Sequence, residues 1–272
     1  MPITLREFLL EDTGTEDVTT NAIVPEDHRS KASIIAKADG IIAGQMFASQ
    51  VFRILDNGID YKELKKDGEQ AQNGDIIALI EGRTRAILTG ERVALNILQR
   101  LSGIATLTAR FVEAVQDTGT KILDTRKTTP GLREMEKYAV RMGGGSNHRS
   151  NLTEMALIKE NHISAAGSIK EAVAQVRART KVPVEVEVKN MDELKETIRL
   201  EVDRIMLDNW DLASTREAVL FVNKKVPLEA SGNMTIERVR DVAQTGVDFI
   251  SVGALTHSFQ ALDMSLLCEE TR

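Results

Sequence analysis

Residues 184–233 read VEVEVKNMDELKETIRLEVDRIMLDNWDLASTREAVLFVNKKVPLEASGN, and this stretch decides the fold. Three short apolar or β-branched runs, VEVEV, RIML and PLEA, are separated by two longer segments, MDELKETIRL and STREAVLFVNKK, that read as helices. A strand followed by a helix, repeated, predicts parallel strands with helices crossing between them. The rhythm continues outward in both directions. Upstream lie KILD from Lys121, MALIK from Met155 and the helical SIKEAVAQVRART; downstream lie the helical TIERVRDVAQT and the strand DFISV. Six strand candidates fall short of the eight of a TIM barrel, so the expected fold is α/β, with a reduced TIM-like barrel of six or seven strands. A doubly wound open sheet is the alternative. No G-x-G-x-x-G follows the first strand, which counts against that sheet and against a dinucleotide cofactor.

The first hundred residues have a different texture. Gly40, Gly44, Gly68, Gly74 and Gly82 punctuate short apolar runs, which predicts strands and turns. The stretch LKKDGEQAQNGDIIALIEG resembles half of a lipoyl-type β domain but has no lysine where a prosthetic group would attach, so it reads as an ordinary turn between strands. From Thr89 to Gln116 the pattern turns helical. Val93, Leu95, Ile97, Leu98 and Leu101 are spread too widely for one apolar face, which predicts a helix packed between layers.

Composition excludes several classes. With 272 residues the chain can bury an ample core, and its one cysteine, Cys268, cannot form an intramolecular disulfide and reads as a small packing residue. The first thirty residues lack the layout of a signal peptide, so a cytoplasmic location is expected. Charges interrupt every apolar run before the roughly 20 residues needed to span a bilayer. With 41 acidic against 35 basic residues, broad attraction to nucleic acid or an acidic membrane is not expected. Any anion site must be a local cluster.

Such clusters stand where a barrel would need them, just after the strands. KILD leads into Thr125-Arg126-Lys127, MALI into Lys159 with Asn161-His162, VEVE ends on Glu187, and RIML stops at Asp208-Asn209. PLEA leads to Ser231-Gly232-Asn233 and DFISV, through Ser251, to Gly253. Arg126, Lys127, His148, Arg149 and Lys159 make a cationic group, with Arg133, Arg141 and His162 as further candidates. Each charge-assisted hydrogen bond contributes about 1.5–3 kcal/mol, so three or four suit a small polyanion. Glu187 and Asp208, at neighbouring strand ends, could face each other across one Mg²⁺ or flank a developing positive charge. The Ser231-Gly232-Asn233 and Ser251-Val252-Gly253-Ala254 turns let backbone amides approach a phosphate. Together these groups describe transfer between a phosphorylated, metal-chelated donor and an acceptor bearing carboxylates. Trp210 reads as a wall, His28 as a solvated loop residue, and His257 as part of a helix start.

These residues resemble a known family. Thr125-Arg126-Lys127-Thr128-Thr129-Pro130-Gly131-Leu132-Arg133, Gly143-Gly144-Gly145-Ser146-Asn147-His148-Arg149 and Lys159-Glu160-Asn161-His162 are similar to the signature blocks of quinolinate phosphoribosyltransferases. Further blocks include Glu91-Arg92-Val93-Ala94-Leu95-Asn96, Glu185-Val186-Glu187-Val188, Leu207-Asp208-Asn209 and Glu229-Ala230-Ser231-Gly232-Asn233. The resemblance implies an amino-terminal α/β sandwich domain, residues 1–103 joined by 260–272, and a barrel domain, residues 104–259. It implies a homodimer in which Arg92 acts in trans, with a hexamer as the open alternative. The reaction implied joins quinolinate to phosphoribosyl pyrophosphate (PRPP) with decarboxylation, giving nicotinate mononucleotide for NAD biosynthesis. By the family's pattern, Arg126, Arg149, Lys159 and the partner's Arg92 hold the two quinolinate carboxylates, with His148 and Lys127 lining the same pocket. Glu187 and Asp208 face the ribose and Mg²⁺, with catalytic roles for these two and Lys127. Ser231, Gly232, Asn233, Ser251 and Gly253 take the phosphate. Two positions depart from the family's habit: Glu16 stands where glycine usually precedes Asp17, and Ser150-Asn151 follow Arg149.

The same residues admit other readings. Relatives associated with molybdenum transport share the Arg-Lys-Thr and His-Arg blocks but tend to lack the Lys-x-Asn-His pattern kept here at Lys159–His162. A nicotinate phosphoribosyltransferase, with a monocarboxylate acceptor, would not require so many cations. Lys159 as a Schiff-base lysine would make an aldolase-like enzyme. A binding module on a scaffold barrel would leave the polar strand ends unexplained.

Overall fold

The structure is a computed structural model, described here for residues 4–269. The chain divides into two compact units. One comprises residues up to 109, 129–144 and 258 onward; the other comprises 110–128 and 145–257.

The first unit is built on an antiparallel sheet in the order Met264–Cys268, Arg29–Ala36, Ile76–Arg83, Asp60–Glu63. Alternation places Ser30, Ala32, Ile34 and Ala36 on a buried face, against which helix Gln45–Leu55 contributes Ala48, Val51 and Phe52. The long helix Thr84–Val115 starts before the expected Thr89, and Val93, Leu95, Ile97, Leu98 and Leu101 are all buried along it, as their spread predicted. Gly103 is required on that helix. A Cβ there would lie 2.2 Å from the carbonyl oxygen of Gln260, where the returning chain crosses it. Residues 129–144, between two strands of the other unit in sequence, belong here through Tyr138, which donates to Asp67 (2.6 Å) and meets Phe47 edge-on at 5.7 Å. Two minor expectations change: Cys268 is exposed at the end of an edge strand, and the His28 ring is tied to the Thr84 hydroxyl at 2.7 Å.

The second unit is a parallel sheet of six strands, in the order Lys121–Leu123, Phe249–Ser251, Leu228–Ser231, Arg204–Asp208, Val184–Val188, Ala156–Ile158. All six expected strands are present. Ser146 adds a one-residue parallel bridge beside Leu123, a rudimentary seventh position. Two of the helices that follow strands closely, Met191–Thr197 and Leu212–Val222, start on capping side chains. Asn190 accepts from Asp192 and Glu193 amides, and Asp211 accepts from the Ser214 amide. Register places Glu185, Glu187, Arg204, Met206, Asp208, Glu229, Ser231, Phe249 and Ser251 on one face. The other face carries Val184, Val186, Val188, Ile205, Leu207, Leu228, Ala230 and Ile250, each at most 4% exposed. The His148 ring, just past the bridge at one end of the sheet, lies 2.9 Å from Glu185 and 3.6 Å from Glu229. That reach requires the sheet to curl with its charged face inward, as a reduced barrel does.

Candidate active site

The barrel's carboxyl-terminal rim is assembled from strand ends. After Leu123, Asp124 is fully buried and organises the next loop: its Oδ1 accepts from the His148 amide (2.8 Å) and its Oδ2 from the Asn147 side chain (2.5 Å). Lys127 is exposed. Its amide donates to Thr125 Oγ1 (3.0 Å), and its carbonyl accepts from Thr256 (2.8 Å). A Cβ on Gly253 would lie 2.9 Å from Lys127 Cδ and 3.2 Å from His257 Nε2, so glycine leaves room where Lys127, Gly253 and His257 converge.

Arg149 donates from Nη1 to the Met155 carbonyl (2.7 Å), a neutral partner that leaves the guanidinium its charge for an anion. Partial burial, and then repulsion from neighbouring Arg126, lower its pKa. Two guanidinium groups held close enough to repel are relieved by a bound anion.

Lys159 lies 3.0 Å from Glu187, but the lysine is half exposed and the pair contributes little stability. Its backbone amide donates to His162 Nδ1 (3.0 Å), so His162 braces the turn that carries Lys159. Asp208 pairs in register with Ser231 and accepts from the Asn209 side chain (2.9 Å). Asn209 and Asn233 both have left-handed backbones, and a Cβ on Gly232 would lie 2.0 Å from Asn209 Oδ1. This close turn needs glycine at 232. Ser251 is buried at the end of its strand. Trp210 is buried as a wall, its indole donating to the Val188 carbonyl (3.0 Å).

The second unit therefore collects Thr125, Arg126, Lys127, Arg149, Lys159, Glu187, Asp208, Ser231, Gly232, Asn233, Ser251 and Gly253 at the ends of its strands or in the loops after them, with His162 in the first turn of helix Glu160–Ala166. Arg92, Arg133 and Arg141 belong to the first unit. Arg92 is exposed on the helix Thr84–Val115.

Below the rim lies a layer of charge that the sequence reading does not anticipate. Glu185 and Glu229 are fully buried, and Arg204 donates to Glu229 (2.8 Å) while its guanidinium lies 4.2 Å from the centre of the Phe249 ring. Burial pushes both carboxyls up to about 7; for Glu229 the nearby Glu185 adds to the rise. A signal for it exists in the sequence. Glu185 precedes Glu187 by two residues and Glu229 precedes Ser231 by two, so strand alternation aims each pair the same way.

Comparison with known proteins matches this architecture along almost its full length. Residues 17–102 match the quinolinate phosphoribosyl transferase N-terminal domain, and residues 104–267 match the C-terminal domain of the same family. The chain belongs to the quinolinate phosphoribosyltransferase family. A Bacillus subtilis relative described as a probable nicotinate-nucleotide pyrophosphorylase [carboxylating] is 45% identical over 264 residues, covering 96% of this chain and 91% of that relative. A chloroplastic nicotinate-nucleotide pyrophosphorylase [carboxylating] from Arabidopsis thaliana is 43% identical, covering 95% of this chain and 80% of its own length. Among solved structures, NadC from Streptococcus pyogenes superposes with a TM-score of 0.93 at 42% identity, covering 98% of this chain and 96% of that one. Human nicotinic acid phosphoribosyltransferase, at 11% identity and a TM-score of 0.64, shares the fold alone. Among the described residues, no helix of this family member is long and apolar enough to cross a membrane.

Proposed function

We propose that this chain transfers the phosphoribosyl group of PRPP to quinolinate, releasing pyrophosphate and carbon dioxide and giving nicotinate mononucleotide for NAD biosynthesis. One observation carries the reading: cations on three loops and carboxylates on two neighbouring strand ends converge on one rim, in a chain that matches the family from residue 17 to 267.

Arg126, Arg149 and Lys159 hold the two quinolinate carboxylates, with His148 and Lys127 lining the same pocket and Arg92 of the partner subunit closing it. Neutralising a dicarboxylate calls for this much positive charge, whereas a monocarboxylate does not. Ser231, Gly232, Asn233, Ser251 and Gly253 receive the 5′-phosphate. Departure of pyrophosphate builds positive character at the ribose carbon, which Glu187 and Asp208 stabilise. The quinolinate nitrogen forms the new bond to that carbon. The carboxylate beside the nitrogen then leaves as carbon dioxide, its electron pair held at the ring carbon by the now cationic ring and the adjacent Arg and Lys groups until that carbon takes up a proton from water.

Glu187 and Asp208 also fit a hard divalent cation. They offer two carboxylates on the same sheet face, with Asp208 two residues beyond the Met206 that pairs with Glu187, and leave further positions to the oxygens of PRPP. Bound there, Mg²⁺ would neutralise the leaving pyrophosphate. The chain acts as a homodimer in the cytoplasm, with assembly into a hexamer compatible with the same site.

The test is an assay with Mg²⁺, PRPP and either quinolinate or nicotinate, following nicotinate mononucleotide and carbon dioxide. Product from quinolinate alone is expected; turnover of nicotinate, or of neither, overturns the reading. For the partner contribution, inactive Arg92→Ala and Lys159→Ala chains, allowed to exchange subunits, should regain about a quarter of wild-type activity by forming one intact site per mixed dimer. No recovery despite exchange refutes it.

A further inference from the structure

The His148 ring has both nitrogens engaged by the protein. Nδ1 lies 2.7 Å from the Arg149 amide, which donates to it, and Nε2 lies 2.9 Å from Glu185 Oε2. An imidazole nitrogen that accepts a backbone N–H cannot carry a proton on the same lone pair. The proton is therefore on Nε2 and points at Glu185, away from Arg149. The ring is buried, its own amide is fixed by Asp124, and Glu185 stands beside Glu229, which Arg204 anchors.

We propose that His148 is a positioning residue held as the neutral Nε2–H tautomer by Glu185, and that the Asp124–His148–Glu185 chain aims the Arg149 guanidinium at the acceptor's carboxylates. In this arrangement His148 supplies no positive charge to the substrate; it supplies a fixed surface from which the Arg149 backbone departs. The geometry also argues against a metal ion among His148, Glu185 and Glu229, although their ligand atoms lie within 4.8 Å of one another. Ligation through Nε2 requires a neutral ring to carry its proton on Nδ1, where the Arg149 amide already donates.

The inference deepens the proposed function, resting on it for the identity of the acceptor, and its first test needs no turnover. In protein labelled with ¹⁵N-histidine, the four histidines are resolved by long-range proton–nitrogen correlation, and His148 is assigned by the signal lost in His148→Gln. The expected result is one protonated nitrogen, Nε2, with Nδ1 unprotonated, unchanged from about pH 6 to about pH 8. A doubly protonated ring, or the Nδ1–H tautomer, overturns the proposal whatever the enzyme's substrate.

The second test is kinetic. Glu185→Leu should raise the quinolinate KM about tenfold or more and leave the PRPP KM within about twofold, whereas Glu185→Gln, which keeps an acceptor oxygen, should recover most of that loss. Likewise His148→Gln, which offers an N–H to Glu185 but cannot become a cation, should recover most of the loss seen in His148→Ala. Equal damage from His148→Gln and His148→Ala, or a quinolinate KM untouched by Glu185→Leu in folded protein, overturns the positioning role. Should quinolinate prove not to be the acceptor, the nuclear magnetic resonance result still decides the tautomer.

Discussion

Strand Arg29–Ala36 of the first unit and strand Val184–Val188 of the second both alternate apolar with polar residues, yet the alternation means opposite things. In the first, Ala32, Ile34 and Ala36 face a packed core while Arg29 and Lys31 face water. In the second, Val184, Val186 and Val188 face outward under a layer of helices, and Glu185 and Glu187 face the barrel interior. One sheet uses its buried face for packing. The other places both faces inside the protein and turns the charged one toward a rim where chemistry is proposed. Mutations on the two strands should therefore fail differently, by unfolding in one and by inactivity in the other.

The largest effect that would sharpen this contrast is on activity. Arg126→Ala should lower kcat/KM for quinolinate by about 10²–10³, equivalent to about 3–4 kcal/mol, with PRPP binding much less affected, as steady-state kinetics with each substrate varied would report. Ile34→Ala should do the reverse, costing about 2–5 kcal/mol in urea unfolding while kcat of the folded enzyme stays near wild type. A stable but inactive Ile34→Ala protein would break the comparison.

The buried charge layer should appear in the pH dependence of stability. The Glu229 carboxyl has an ordinary value of 4.5 and is pushed up to about 7 by burial and by Glu185. Between those values the folded chain keeps a proton that the unfolded chain has released. Stability conferred on the folded state accordingly falls as pH rises from about 4.5 to about 7 and levels off above. Glu229→Gln should remove this slope, so the stability difference between variant and wild type shifts by about 2–3 kcal/mol between pH 5 and pH 8 in urea midpoints. A parallel pair of curves would contradict the assignment. The smallest effect belongs to the helix starts: Asn190→Ala removes the acceptor for two amides and should cost about 1 kcal/mol, with kcat unchanged.

Much of the barrel is legible in the sequence because its signal is local. Each strand candidate from KILD to DFISV is a strand, since short β-branched runs bounded by capping residues leave the chain few alternatives. The rim residues are legible for the same reason, because a parallel barrel must present the loop after each strand at one end. The sequence leaves His162 between orienting a substrate and bracing Lys159, and the structure adds the bracing contact, a hydrogen bond from the Lys159 amide. Cys268 is exposed, against the expectation of a packing residue, because its exposure depends on lying at the sheet's edge, which no local pattern records.

By itself, the sequence determined the alternation of strands and helices, the direction of the parallel sheet, the cationic and carboxylate groups at the strand ends, and the family to which they correspond. The first three come from periodicity, capping and spacing, which are properties of neighbours along the chain, and the family comes from the likeness of its signature blocks. Only the tertiary structure decided which face of VEVEV and PLEA turns inward, that residues 129–144 leave the barrel's unit for the other, and that His148 engages Arg149 and Glu185 with its two ring nitrogens. Those outcomes depend on burial and on partners 37 to 91 residues away in the chain, as with His148 and Glu185 or Phe47 and Tyr138, and the free energy of placing a charge beside such a partner has no expression in local sequence.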